Sequence, residues 1–173
     1  MTGVGGIIAG RTASEMPGLD IAEQRSWQNF LEASLRLYGT LNRGLSESHQ
    51  LSLVDVRLLE ILTRSDSGSA RMGDLAEQLL ALPSRVTRQI RRLETSGLVR
   101  REASPDDGRG VLASITVEGR AVVEEALVTY ANGVREHYLG PLTRPQMSGM
   151  GENCRRISAA LKTNGPSAKA GRG

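Results

Sequence analysis

The 173 residues, 39% hydrophobic and 24% charged, suffice for one soluble domain with its own core and exclude a disordered or membrane-spanning chain. Five aromatics (Trp27, Phe30, Tyr38, Tyr130 and Tyr138) leave positions 39–129 without any, which excludes a module that reads bases by aromatic stacking. The net charge of +3 hints at an anionic partner, and the single cysteine, Cys154, excludes an intrachain disulfide framework and fits a reducing compartment.

Residues 1–19 hold five glycines and little periodicity, and residues 164–173 are rich in Gly, Ser, Ala and basic residues; both read as flexible tails. Ile7-Ile8-Ala9 is too short for a signal-peptide core, and no apolar run approaches the ~18 residues of a membrane helix. The expectation is a cytoplasmic protein without membrane contact.

Between the tails the periodicity predicts a helix over 20–45, with Trp27, Leu31, Tyr38 and Leu41 on one stripe and Phe30, Leu35 and Leu37 widening it. A second helix over 52–63 is capped by Ser52, with Asp55 favourable to its dipole. Ser65-Asp66-Ser67-Gly68-Ser69 reads as a loop. A short third helix covers 73–80, and Pro83 opens a fourth that Gly97 ends. Leu98 to Glu102 and Val111 to Ile115 read as two strands of a hairpin around the turn Ser104 to Gly108. Thr116 caps a long helix to Leu139, which Gly140-Pro141 stops. Thr143 and Gln146 form a capping box for a last helix over 144–162, striped by Met147, Met150, Cys154, Ile157 and Leu161. The fold class is mainly α with a small β-hairpin (α+β).

The fourth helix carries the chemistry. At about 100° per residue, Val86, Ile90 and Leu93 fall on one side, while Arg85, Arg88 and Arg92 cluster opposite and Arg91 flanks them. Arginine can pair bidentately with guanine or phosphate, and Ser84 and Thr87 add hydroxyls near the helix start. A solvated charged face would show the same pattern. The hairpin shifts the balance toward the first: Arg100 and Arg101 lie on its first strand and Arg109 at its tip. Two helices with a tight break, the second basic and followed by a basic hairpin, describe a winged helix-turn-helix. Arg109 would reach the adjacent minor groove, with Asp107 holding its guanidinium in place.

These residues resemble the MarR family of winged-helix regulators. The resemblance rests on Leu75-Ala76-Glu77-Gln78-Leu79, Pro83 to Arg88, Leu93 to Arg101, Asp106-Asp107-Gly108-Arg109 and Ile115 to Gly119. It implies a homodimer on a pseudo-palindromic operator in double-stranded DNA, often released by a phenolic or anionic ligand. It places 51–116 in the DNA-binding region and 20–50 with 117–162 in a helical dimerisation region, 1–19 and 163–173 being tails. Asp107 and Arg109 match the family's wing pair; Ser84, Arg85, Thr87 and Arg88 match the front of its recognition helix. Two positions depart from the pattern. Leu82 stands where the family often has a capping Ser, and Gly108 and Gly110 flank Arg109 where further basic residues are common.

No nucleophile elbow, triad or phosphate loop is present, so the reading is a non-enzyme without a cofactor. His49, expected in a loop, and His137 have no partners at metal spacing. Cys154, on an apolar stripe, reads as a small hydrophobe. The aromatics either pack at a dimer interface or line an effector pocket, for which Tyr38 and Arg57 are the candidates. The reading is a DNA-binding transcriptional regulator, a repressor. An architectural DNA-binding protein without an effector and a winged-helix protein-interaction module are the alternatives.

Overall fold

The structure, a computed structural model, describes residues 16–103 and 110–163. Most of the expected N-terminal tail, the C-terminal tail beyond Thr163 and the hairpin tip with Asp107 and Arg109 lie outside these residues. The chain divides into two compact units between Thr129 and Tyr130.

The first unit opens with α1 (Ile21–His49). Asp20 caps it, accepting from the Ala22 and Glu23 N–H groups at 2.8 and 3.0 Å, while the Glu23 carboxylate accepts the Asp20 N–H at 2.8 Å. The helix passes the expected end at residue 45 because Ser46 to His49, which carry no apolar periodicity, continue until Gln50 turns left-handed at φ 56°. His49 therefore closes a helix instead of lying in a loop, and its Nε2 meets Thr129 Oγ1 at 2.8 Å. Leu41 and Leu45 are buried; Trp27, Phe30, Leu31, Leu35 and Tyr38 leave an apolar stripe exposed.

Next come α2 (Leu53–Arg64), β1 (Ser69–Arg71), α3 (Met72–Gln78), α4 (Pro83–Thr95), β2 (Val99–Ala103), β3 (Val111–Ile115) and α5 (Val117–Val134). Ser52 caps α2 as expected, and Asn42 of α1 accepts the Leu53 N–H at 2.9 Å. The expected two-stranded hairpin is one part of a three-stranded antiparallel sheet ordered β1-β3-β2. Ser69, assigned to a loop by composition, pairs with Ser114, and Val99 pairs with Ile115. A three-residue strand is too short to show alternation, and its partner lies far along the chain. The core gathers Leu45, Leu58, Leu59, Leu62, Leu75, Ile90, Leu93, Val99 and Val123, all buried, each stabilising by about 1.5–3 kcal/mol.

Two helix ends use the same closure. In α4 the Leu98 N–H donates to Leu93 O at 2.9 Å and the Gly97 N–H to Glu94 O at 3.0 Å, with Gly97 at φ 75°. In α3, which stops before the expected residue 80, the Ala81 N–H donates to Ala76 O at 3.0 Å and the Leu80 N–H to Glu77 O at 3.1 Å. There the left-handed position is taken by Leu80, φ 51°, where a non-glycine residue costs about 1–2 kcal/mol.

In the second unit the last turn of α5 passes into a π-helical turn, Arg135–Leu139, in place of a uniform α-helix to 139. The Gly140 N–H reaches back five residues to Arg135 O at 2.8 Å, and Pro141 has no N–H with which to continue. Helix α6 (Arg144–Thr163) starts where Gln146 Oε1 accepts both the N–H and the hydroxyl of Thr143 at 2.9 Å. Arg156 and Arg155 beside Glu152 hold its carboxyl below the usual carboxylate range. Met150, Ile157 and Leu161 of the α6 stripe are exposed, as is Cys154. Among the described residues no helix is long and apolar enough to cross a membrane.

Gly119 sits where α5 presses on the end of α4: a Cβ there would lie 2.2 Å from Leu98 O, which already accepts the Thr116 N–H. Gly119→Ala is expected to lower stability by about 1–3 kcal/mol in urea denaturation.

Candidate nucleic-acid interface

Helix α4 begins at Pro83 after Leu82, which supplies no side-chain cap. Its buried stripe is Val86, Ile90 and Leu93; Ser84, Arg85, Arg88, Arg91 and Arg92 are exposed. Thr87 is half-buried and donates its hydroxyl to Pro83 O at 2.9 Å, leaving its lone pairs free to accept.

One edge of α4 is fastened to α2. Asp55 is fully buried, at 0% exposure. It accepts from the Ser52 N–H at 2.7 Å and the Ser52 hydroxyl at 2.6 Å, and it receives the Gln89 amide and the Arg92 guanidinium from α4. A buried carboxylate is tolerated only when its oxygens are paired in this way. The opposite edge of α4 is tied to the sheet. Glu94 accepts from the Arg101 N–H at 3.3 Å and pairs with its guanidinium at 2.7 Å.

The arginines therefore divide. Arg92 and Arg101 hold the element, and Arg100 pairs with Glu102 at 3.6 Å. Arg85, Arg88 and Arg91 are exposed and make no ion pair among the described residues. The sequence places Arg92 with these three; the structure turns it toward α2. On the helical wheel Gln89 lies between Arg92 and the apolar stripe, so that edge faces the neighbouring helix.

A hollow of about 550 Å³ opens beside this face, between Ser52, Val54 and Arg57 of α2 and its N-cap, the turn residues Leu80 and Leu82, and Arg85 and Arg88 of α4. A second hollow, about 260 Å³, adjoins Arg57, Glu60 and Arg64. Arg57 lines both, and its guanidinium also pairs with Glu60. Tyr38 lines neither; it lies on the exposed stripe of α1. Among the described residues no cluster of His, Cys, Asp and Glu could hold a metal ion.

The residues that sequence reasoning missed are Asp55 and Gln89 as a clamp. Ser52 followed by Asp55 signals a cap but says nothing of burial. Asp55→Ala is expected to cost about 3–5 kcal/mol, because it strands two α4 donors and uncaps α2. Arg92→Met, whose side chain is 48% exposed, should cost less, about 1–2 kcal/mol. Chemical denaturation of the two variants checks this order.

Comparison with known proteins agrees with this geometry. The MarR family model matches residues 51–111. The HTH-type transcriptional repressor Mb2911 of Mycobacterium bovis is 34% identical over 98 residues, 56% of this chain and 67% of that protein. The HTH-type regulator YhbI of Bacillus subtilis is 38% identical over 80 residues, 44% of this chain, and the match spans about half of that relative, 52%. Among solved structures, the MarR family regulator Sco3205 of Streptomyces coelicolor, in complex with DNA, matches with a TM-score of 0.81 at 33% identity, covering 90% of this chain and 95% of that one. The chain belongs to the MarR family of DNA-binding transcriptional regulators.

Proposed function

We propose that the protein is a homodimeric repressor that inserts α4 of each protomer into successive major grooves of a pseudo-palindromic operator. The observation that carries this reading is the row of three exposed arginines on α4, without an ion pair among the described residues, on a helix held from both edges. Ser84 and Thr87 extend the row toward the helix start, and Arg109 with Asp107 in the hairpin tip touches the flanking backbone or minor groove. Repression is supported by the name of the Mycobacterium bovis relative.

Dimerisation is supported by the apolar stripes of α1 and α6, each exposed in the single chain. A second copy of the chain would cover Trp27, Phe30 and Leu35 on the one and Ile157 and Leu161 on the other. Release by a small phenolic or anionic ligand is supported by Arg57, a cation on the rim of two hollows. Such a regulator works in the cytoplasm, beside the DNA.

Selection of duplexes from a random pool tests the reading. The expected product is an inverted repeat whose half-sites lie about 10 base pairs apart, as two recognition helices one helical turn apart require. Arg88→Ala is expected to bind it about 1–3 kcal/mol more weakly and to relax one position of each half-site. A pool that yields no preferred sequence would favour an architectural DNA-binding protein.

A further inference from the structure

We propose that Leu80 and Leu82, the exposed leucines of the α3–α4 turn, form an apolar edge that reads the 5-methyl group of thymine beside the arginine face of α4. The proposal rests on the reading of α4 as the helix that enters the major groove.

Neither leucine is explained by folding. Leu80 is 92% exposed, so its side chain gains almost nothing from burial. It also occupies the left-handed position of a helix closure, φ 51°, which glycine occupies without strain. The two backbone hydrogen bonds of that closure, at 3.1 and 3.0 Å, hold the residue in place. Leu82 is 64% exposed and stands at the N-cap of α4, where a hydroxyl would satisfy a free N–H and leucine satisfies none. Two positions of one turn, separated only by Ala81, thus carry a large apolar side chain where the local backbone favours glycine or serine.

Their surroundings identify the occupant. Leu80 and Leu82 line the same hollow as Arg57, Arg85 and Arg88, so the surface is apolar at the turn and cationic along α4. Three arginines draw a polyanion. The apolar group that a DNA duplex offers on its base edges in the major groove is the thymine methyl. An edge of leucine continuous with guanidinium groups therefore suits a thymine next to the bases or phosphates that the arginines contact. The closure fixes the backbone of Leu80, which limits where its exposed side chain can reach.

The test uses the full-length protein and the duplex it selects from a random pool. Each thymine in turn is replaced by deoxyuridine, which removes one methyl group and leaves base pairing intact. The wild-type protein is expected to lose about fourfold in affinity at one thymine of each half-site. The double variant Leu80→Gly with Leu82→Ala is expected to bind the thymine and uracil duplexes equally. Leu80→Gly alone should narrow the difference while its melting midpoint stays level or rises, since glycine relieves the positive φ; this separates lost reading from lost folding. Wild-type binding indifferent to uracil at every thymine, or full discrimination retained by the double variant, would overturn the proposal while leaving α4 as the reading helix. If the pool yields no preferred sequence, the reading of α4 fails, and the proposal fails with it.

Discussion

One buried carboxylate, Asp55, fixes how α4 sits on α2. Asp55 has no exposed surface, so its charge must be met inside the protein. Ser52 meets part of it within α2, and Gln89 and Arg92 meet the rest from α4, more than thirty residues along the chain. The apolar stripe Val86, Ile90 and Leu93 would permit α4 to rotate or slide by small amounts on the core. A directional pairing with a buried acid restricts that freedom far more than dispersion contacts do. The rotation of α4 decides which arginines face outward, so the outer face of the helix depends on a residue that never reaches it.

The arginines show how one residue type serves two purposes. Arg92 on the α2 edge and Arg101 on β2 are held by acids, and they fasten α4 between the second helix and the sheet. Arg85, Arg88 and Arg91 are exposed and meet no such acid among the described residues. The stretch 84–101 holds six arginines and one acid, and that single acid, Glu94, is turned to the sheet instead of neutralising the exposed row. The mild overall charge of +3 conceals this concentration. The aromatics lie elsewhere: Trp27, Phe30 and Tyr38 stand on α1, not on α4 or β2.

Much of the fold is legible in the sequence because its signals are local. Pro83 and Gly97 punctuate α4, Ser52 and Thr116 cap their helices, and the strands 99–103 and 111–115 bracket a turn-rich segment. The parts that were not legible depend on distant partners. Ser69 to Arg71 become a strand only because β3 lies alongside. Asp55 reads as an N-terminal acid, and its pairing with Arg92 appears only when two helices pack. For the same reason Arg92 groups with the outward arginines on a helical wheel, which knows angles but not neighbours. Tyr38, toward one end of its helix, and Arg57, polar in an apolar stretch, are the effector candidates of the sequence; of the two, Arg57 lines the described hollows. Leu80 carries no signal at all in the sequence, because an exposed leucine is ordinary until its backbone angle is known.

The central claim is that the outward arginines bind DNA while the clamped one holds them in position. The dependence of affinity on salt measures this division directly, since each phosphate contact contributes about 0.9 to the slope of log affinity against log salt. On the selected duplex, replacing Arg85, Arg88 and Arg91 together by alanine should flatten the slope by several units for the dimer. Arg92→Met should leave it within about one unit of wild type, even where overall affinity falls. An unchanged slope in the triple variant, or an equal flattening in Arg92→Met, would contradict the account.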